Sequence, residues 1–148
     1  MDTNALIWLA INDMRILSVK NLLTNTANIF YLSVISFWEI VIKLRIGKIN
    51  VDVIDLKKET INAWIQELNL SSIYLNILLS LPMHHKDQFD HMILAQAKHE
   101  NMTIITGDSI FKKYLPDTIV ILPLKNFFCN ITFCPLRILR FCDRDSRL

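Results

Sequence analysis

Glycine is almost missing from this chain. Of 148 residues only Gly47 and Gly107 are glycine. A phosphate-cradling loop needs several glycines close together, so P-loop and dinucleotide-binding motifs are excluded. Cysteine is equally scarce: Cys129, Cys134 and Cys142 all fall near the C-terminus, odd in number and without C-x-x-C spacing. That excludes a disulfide framework or a zinc site as the organising element. A strong charge of either sign is absent too. The formal net charge is +2, and residues 125–148 carry the excess, with Lys125, Arg137, Arg140, Arg144 and Arg147 against Asp143 and Asp145. Whole-chain basicity therefore gives no argument for nucleic-acid binding.

Long apolar runs are also lacking. The stretch from Asn21 to Trp38 has no charge, but Asn21, Thr24, Asn25, Thr26 and Asn28 make it a poor membrane span. The N-terminus places an acid, Asp2, where a signal peptide needs positive charge. The expectation is a soluble, cytoplasmic protein with no stable membrane association. Hydrophobic residues make up 52% and charged residues 20%, which is enough apolar side chain for one domain with its own core.

What is present reads as alternating helices and strands. A short helix is expected from Asn4 to Asn12, and a second from Ser18 as N-cap to about Ala27. Ile29–Leu32 reads as a buried strand. Ser33 caps a helix over Val34–Ile46, stopped by Gly47. Asp55 opens a fourth helix that carries Trp64 and Ile65. Leu70–Leu75 reads as a strand, Asn76–Leu81 as a short helix ended by Pro82, and Gln88–His99 as a helix capped by Asp87. Met102–Thr106 and Thr118–Leu122 read as strands around a short helix at Ser109–Tyr114. Trp8, Trp38 and Trp64 are expected in the core. This alternation predicts an α/β fold with a parallel sheet. After Pro123 the pattern dissolves, so the domain is expected over 1–122, with a poorly packed extension over 123–148.

Four acids stand in distinct settings: Asp2, Glu39, Asp90 and Asp108. Each also has a plainer reading. Glu39 has Lys43 four residues on, as an ion pair on a solvated stripe. Asp87, Asp90 and Asp108 lie at helix starts, where acids cap and gain from the dipole. Against this, several of the acids follow strand ends, where a parallel sheet gathers ligand-binding residues. Clustered carboxylates repel one another unless a divalent cation lies between them, and that arrangement serves metal-assisted phosphodiester hydrolysis. Ser36 and Thr106 are placed to hydrogen-bond such carboxylates, with Asp87 beside them. His84-His85 reads as a loop pair. Lys43, Arg45 and Lys48 form either a phosphate patch or a solvated helix end.

The segments Asp2-Thr3-Asn4-Ala5-Leu6-Ile7-Trp8 and Ser33-Val34-Ile35-Ser36-Phe37-Trp38-Glu39-Ile40 resemble the opening of PIN-domain ribonucleases, in particular the VapC-type toxins. Gly47-Lys48-Ile49 is similar to their G-K-L segment. Leu81-Pro82-Met83-His84-His85-Lys86-Asp87-Gln88-Phe89-Asp90 with Ile93-Leu94-Ala95-Gln96-Ala97 resembles the L-P-x-H-H-x-D-P-F-D-R…I-A-Q-A signature of one subgroup, and Thr106-Gly107-Asp108 its T-x-D. The resemblance spans residues 1 to about 122. It implies a three-layer α/β/α fold and a Mg²⁺ or Mn²⁺ site at Asp2, Glu39, Asp90 and Asp108. It further implies endonucleolytic cleavage of RNA, a homodimer, and a cognate antitoxin that covers the acidic site.

The chain departs from that pattern in places. Gln88 replaces Pro and His91 replaces Arg, which makes His91, with Lys43, a candidate phosphate contact. The stretch between the fourth helix and Leu81 is short by several residues. Only Met1 precedes Asp2, where the family has a full strand, so the first strand is expected to be truncated, with either a start lying upstream or a decaying copy. The apolar, cationic tail has no family counterpart and reads as translation past a lost stop codon, or else as a membrane or antitoxin contact. A catalytically impaired remnant that still binds an antitoxin and a DNA-directed nuclease are the alternative functions.

Overall fold

A computed structural model describes residues 1–11 and 13–121. The expected extension over 123–148, with its three cysteines, lies outside the described residues. In chain order the elements are α1 (Thr3–Ala10), a 3₁₀ segment (Met14–Val19), α2 (Lys20–Thr24), β1 (Tyr31–Ser33), α3 (Val34–Arg45), α4 (Val53–Asn62), β2 (Gln66–Leu68), α5 (Tyr74–Ser80), α6 (Gln88–His99), β3 (Ile105–Thr106), a second 3₁₀ segment (Ser109–Lys113) and β4 (Ile119–Val120). The fold is α/β with parallel strands, as expected. No helix among the described residues is long and apolar enough to cross a membrane.

The strands form two parallel pairs. Tyr31 aligns with Gln66 in β1–β2, and Ile105 with Ile119 in β3–β4. Between the pairs runs the N-terminal dipeptide: the Met1 amine donates to the Tyr31 carbonyl at 3.0 Å, and the Asp2 N–H to the Ile105 carbonyl at 2.9 Å. Ile104, just before β3, and Ile105, its first residue, face opposite sides. Ile105 joins a cluster with Leu6, Leu32, Ile40 and Leu56, while Ile104 joins Leu94, Ile93, Phe111 and Tyr74. The strands thus separate two cores, with α1 and α4 over one and α5 and α6 over the other. Burying a Leu or Ile fully contributes about 1.5–3 kcal/mol, so these clusters, and not strands of two or three residues, hold the layers together.

Several boundaries differ from expectation. Ser18 does not cap a helix. Its hydroxyl donates to the Arg15 carbonyl, and Asp13 caps the 3₁₀ segment instead. The fourth helix starts from Asp52, which accepts from the Ile54 and Asp55 amides, three residues before the expected Asp55. The second strand is Gln66–Leu68, not Leu70–Leu75, because the turn that ends α4 delivers Gln66 straight to β1, where its N–H bonds the Phe30 carbonyl at 2.8 Å.

That turn also corrects the placement of Trp64. Three helices end in a Schellman motif, with the residue after the C-cap in the left-handed region: Gly47 (φ 71°), Trp64 (φ 58°) and Asn101 (φ 56°). At α4, Trp64 N–H bonds the Ile61 carbonyl and Ile65 N–H the Thr60 carbonyl. Ile65 goes into the core and Trp64 is thrown outward, 89% exposed. Trp38 is likewise exposed, packing its edge on Phe89. Only Trp8 is substantially covered, held between the Arg15 guanidinium and Gly107, where an added Cβ would fall 2.1 Å from the indole. A bulky L-residue in the left-handed region costs about 1–2 kcal/mol. Trp64→Gly is therefore expected to raise stability by about 1 kcal/mol, read as a shift in urea midpoint with unchanged slope; a lower midpoint would show that the indole packs against something.

Candidate active site

The site is assembled from the C-terminal ends of the central strands. Ser33 ends β1 and caps α3, its hydroxyl accepting from Ile35 N–H at 3.0 Å and donating to Gln96 Oε1 at 2.5 Å. Gln96 in turn donates to the Asn69 carbonyl just after β2. One buried polar chain therefore fixes where α3 leaves the sheet and how α6 lies against it. Sequence reasoning gave Gln96 no role beyond its place in a motif, because both of its partners are distant in sequence.

Asp2 is 2% exposed. It caps α1 through Oδ1, which accepts from Ala5 N–H at 2.7 Å, while Oδ2 accepts from the Thr106 hydroxyl and from Gly107 N–H at 3.3 Å. Burial raises its pKa, and the Thr106 and Ala5 bonds oppose that rise. The Thr106 hydroxyl also accepts from Asp108 N–H at 2.9 Å, so one side chain joins the first and last of the four acids. Asp108 caps the 3₁₀ segment that follows it, accepting from Ile110 N–H at 2.8 Å.

Glu39 lies on the buried face of α3. Oε1 meets Lys43 Nζ at 2.5 Å, the expected i,i+4 pair. Oε2 is buried with no partner, as is Ser36 Oγ one turn earlier. Thr3 Oγ1 is the third buried side-chain oxygen without a partner among the described residues; an unsatisfied buried acceptor costs about 1–3 kcal/mol, more if charged, so Glu39 Oε2 has the most to gain from a ligand. Asp90, in the first turn of α6, is pushed up to about 6, first by burial, then by the Asp87 carboxylate, with Glu39 adding to the rise and the His85 bond opposing it. Asp87 itself caps α6, accepting from Phe89 and Asp90 amides.

The structure thus brings Asp2 and Asp108 together through Thr106, and places Glu39 and Asp90 within each other's field. Among the described residues no three His, Cys, Asp or Glu side chains converge closely enough to hold a metal ion. The donor set still fits a hard cation. All candidates are oxygens, one is a buried unpaired carboxylate oxygen, and Mg²⁺ takes only one or two carboxylates with water completing its shell. The main cavity, about 510 Å³, is elsewhere: none of the four acids lines it.

His91 requires correction. It is 2% exposed, its Nε2 3.0 Å from the Tyr114 hydroxyl, with burial and His85 lowering its pKa. A neutral, enclosed imidazole does not reach phosphate. The neighbouring His85 is the histidine that meets a candidate acid: its Nε2 lies 3.2 Å from Asp90 Oδ2 and its Nδ1 2.8 Å from Tyr114 Oη. Tyr114 already accepts the His84 and His85 amides, so its single proton goes to one of two ring nitrogens, His85 Nδ1 at 2.8 Å or His91 Nε2 at 3.0 Å. In the tautomer where Nδ1 receives it, the His85 proton lies on Nε2 and is directed at Asp90. The loop pair of histidines pointed to nothing by itself, since its partner Tyr114 lies 29 residues away.

The raised Asp90 value makes stability depend on pH. Between an unfolded value near 4 and about 6, the folded chain keeps a proton that the unfolded chain has released, so stability falls as pH rises through that window and the loss is complete above it. In EDTA, Asp90→Asn is expected to stabilise the chain by about 1–3 kcal/mol at pH 8 and to make little difference at pH 4. Thermal melts at the two pH values check this, and an equal effect at both would contradict it.

A family model described as PIN domain matches residues 1–114 of this chain. No curated protein matches it, and no solved structure does.

Proposed function

The chain belongs to the PIN domain family, a three-layer α/β/α fold of metal-dependent nucleases, and from that premise we propose that it is a VapC-type endoribonuclease toxin, dependent on Mg²⁺ or Mn²⁺ and paired with a cognate antitoxin. The observation that carries the catalytic part is the unpartnered, buried Glu39 Oε2 beside an Asp90 whose pKa is pushed up to about 6. Two carboxylates in that state lower each other's stability until a cation joins them.

Glu39, Asp90, Asp2 and Asp108 are the residues that would hold the ion. When bound, such an ion lowers the pKa of a water and offsets charge on the phosphate. The chain's own groups do the positioning. Thr106 aims Asp2 and fixes the Asp108 backbone. His85 holds Asp90, and Asp87 holds the turn that carries it. Ser36 Oγ, buried and unpartnered, is placed to bond a ligand near Glu39. Lys43, paired with Glu39 and partly exposed, is the cation available to an RNA phosphate. For the protein partners, a homodimer or an antitoxin, the support is exposed apolar side chain on and just after α4: Ile54, Ile61 and Trp64 lie 64–89% exposed.

A second reading, an impaired PIN-domain remnant that only binds an antitoxin, is favoured by one observation: no three metal-ligating side chains converge among the described residues. Incubating the purified chain with single-stranded RNA separates the two. Cleavage is expected with Mg²⁺ or Mn²⁺ and not with EDTA. Glu39→Gln and Asp90→Asn are each expected to lower the rate by more than about 100-fold, and His85→Ala by about 10-fold, the range of outer-shell partners. Intact RNA under all metal conditions, with the chain folded, would favour the remnant. Cleavage that survives EDTA and Asp90→Asn would sink the metal mechanism. Single-stranded DNA in parallel tests the RNA preference.

A further inference from the structure

Two helices each carry an aromatic residue directly before a candidate acid. Trp38 precedes Glu39 on α3, and Phe89 precedes Asp90 on α6. The aromatic residues meet where the acids do. Their ring centroids lie 5.2 Å apart at an interplanar angle of 81°, while Glu39 stands within the electrostatic field of Asp90. Neighbouring Cα atoms are about 3.8 Å apart, so the aromatic pair borders the acid pair.

The two rings play different parts. Phe89 is partly buried and packs against the cluster that holds Ile93, Leu94 and Phe111. Trp38 is 56% exposed. A perpendicular contact covers either an edge or one face of the indole, so at least one face stays open while Phe89 holds the ring in place. A single exposed apolar side chain needs no explanation by itself; the setting of this one does. Cations share its side of α3. On a helix Arg45 falls about 20° round from Trp38 and about 10 Å further along the axis. Arg45 is exposed, as is Lys48 in the turn that follows, and neither makes an ion pair among the described residues. Favourable interaction with the helix dipole accounts for cations at this end. It does not account for an open indole set between them and the acids.

We propose that Trp38 is the base-stacking residue of the substrate site: a nucleobase flanking the phosphate at the acids lies on the open face of the indole, and the Arg45 guanidinium takes a further phosphate of the same strand. This rests on the RNA-binding part of the function proposed above and not on cleavage. Single-stranded RNA suits the surface better than an apolar protein segment does. It brings a π-face to the indole and a phosphate to the free cation, whereas an apolar segment would desolvate Arg45 without pairing it. The strand must be unpaired, because bases in a duplex stack on one another. Stacking uses no base edge, so the subsite tolerates any base and requires only that one be present.

The test measures binding of a labelled short oligoadenylate RNA to the full chain by fluorescence anisotropy, with Mg²⁺ and in an Asp90→Asn background that slows cleavage. Trp38→Ala is expected to weaken binding at least about fivefold, and Trp38→Phe, which keeps a stacking ring, by less than about threefold. Removing one base at each position in turn should reveal a position whose loss costs the parent about as much as Trp38→Ala and adds little on top of it, the non-additivity of groups in contact. Arg45→Gln should weaken binding and lower its salt slope by about one. Unchanged affinity in Trp38→Ala, or additive losses at every abasic position, would overturn the proposal. If Trp38→Ala instead leaves RNA affinity intact and abolishes self-association in sedimentation, the indole belongs to a protein interface and the proposal fails. RNA that is bound through Trp38 but never cleaved by the unsubstituted chain sinks the nuclease reading alone, while cleavage indifferent to Trp38→Ala in both rate and affinity sinks this inference alone.

Discussion

Two backbone hydrogen bonds, from Met1 to Tyr31 and from Asp2 to Ile105, carry the pairing between the halves of the sheet. The first of the four acids depends on them directly. Asp2 adds its side chain to the same joint, bonding α1 through Ala5 and the end of β3 through Thr106 and Gly107. One residue is thus ladder member, helix cap and candidate ligand. Its burial raises the cost of its charge, and the cost is borne because the same carboxylate satisfies three donors.

The other acids are held by separate devices. Ser33 and Gln96 lock α3 against α6, which fixes the spacing of Glu39 and Asp90, one from each helix. His85 and Tyr114 then orient Asp90 from the loop before α6 and from the end of the second 3₁₀ segment. Packing supplies the stiffness: Leu94 and Phe111 are fully enclosed beneath these groups. The charged form of Asp90 is disfavoured by burial and by Asp87 and Glu39, an arrangement that a cation between the carboxylates would relieve.

Much of this was legible in the residues. The caps Ser33, Asp87 and Asp108 were readable because a cap acts within three residues of itself. Gly47 was readable as a helix stop for the same reason. Trp64 was not, since a tryptophan in the left-handed region contradicts its own preference and is imposed by Ile65 entering the core. The second strand was displaced because Gln66–Leu68, with its exposed Gln66 and Glu67, carries no strand pattern and is a strand only through β1. His91 looked available for phosphate because it neighbours Asp90; on a helix, adjacent residues face about 100° apart, so one reaches the site and the other the core.

By itself the sequence determined the α/β class, the caps at Ser33, Asp87 and Asp108, the stop at Gly47, and which acids are candidates, since these follow from local pattern and short-range bonding. Tertiary structure alone decided which acid shares a partner with which, that His85 meets Asp90 while His91 is buried against Tyr114, and that Glu39 keeps an unpaired oxygen. Those depend on side chains brought together across 29 to 105 residues of chain. No local preference encodes such distances, and only the packing of the two cores sets them.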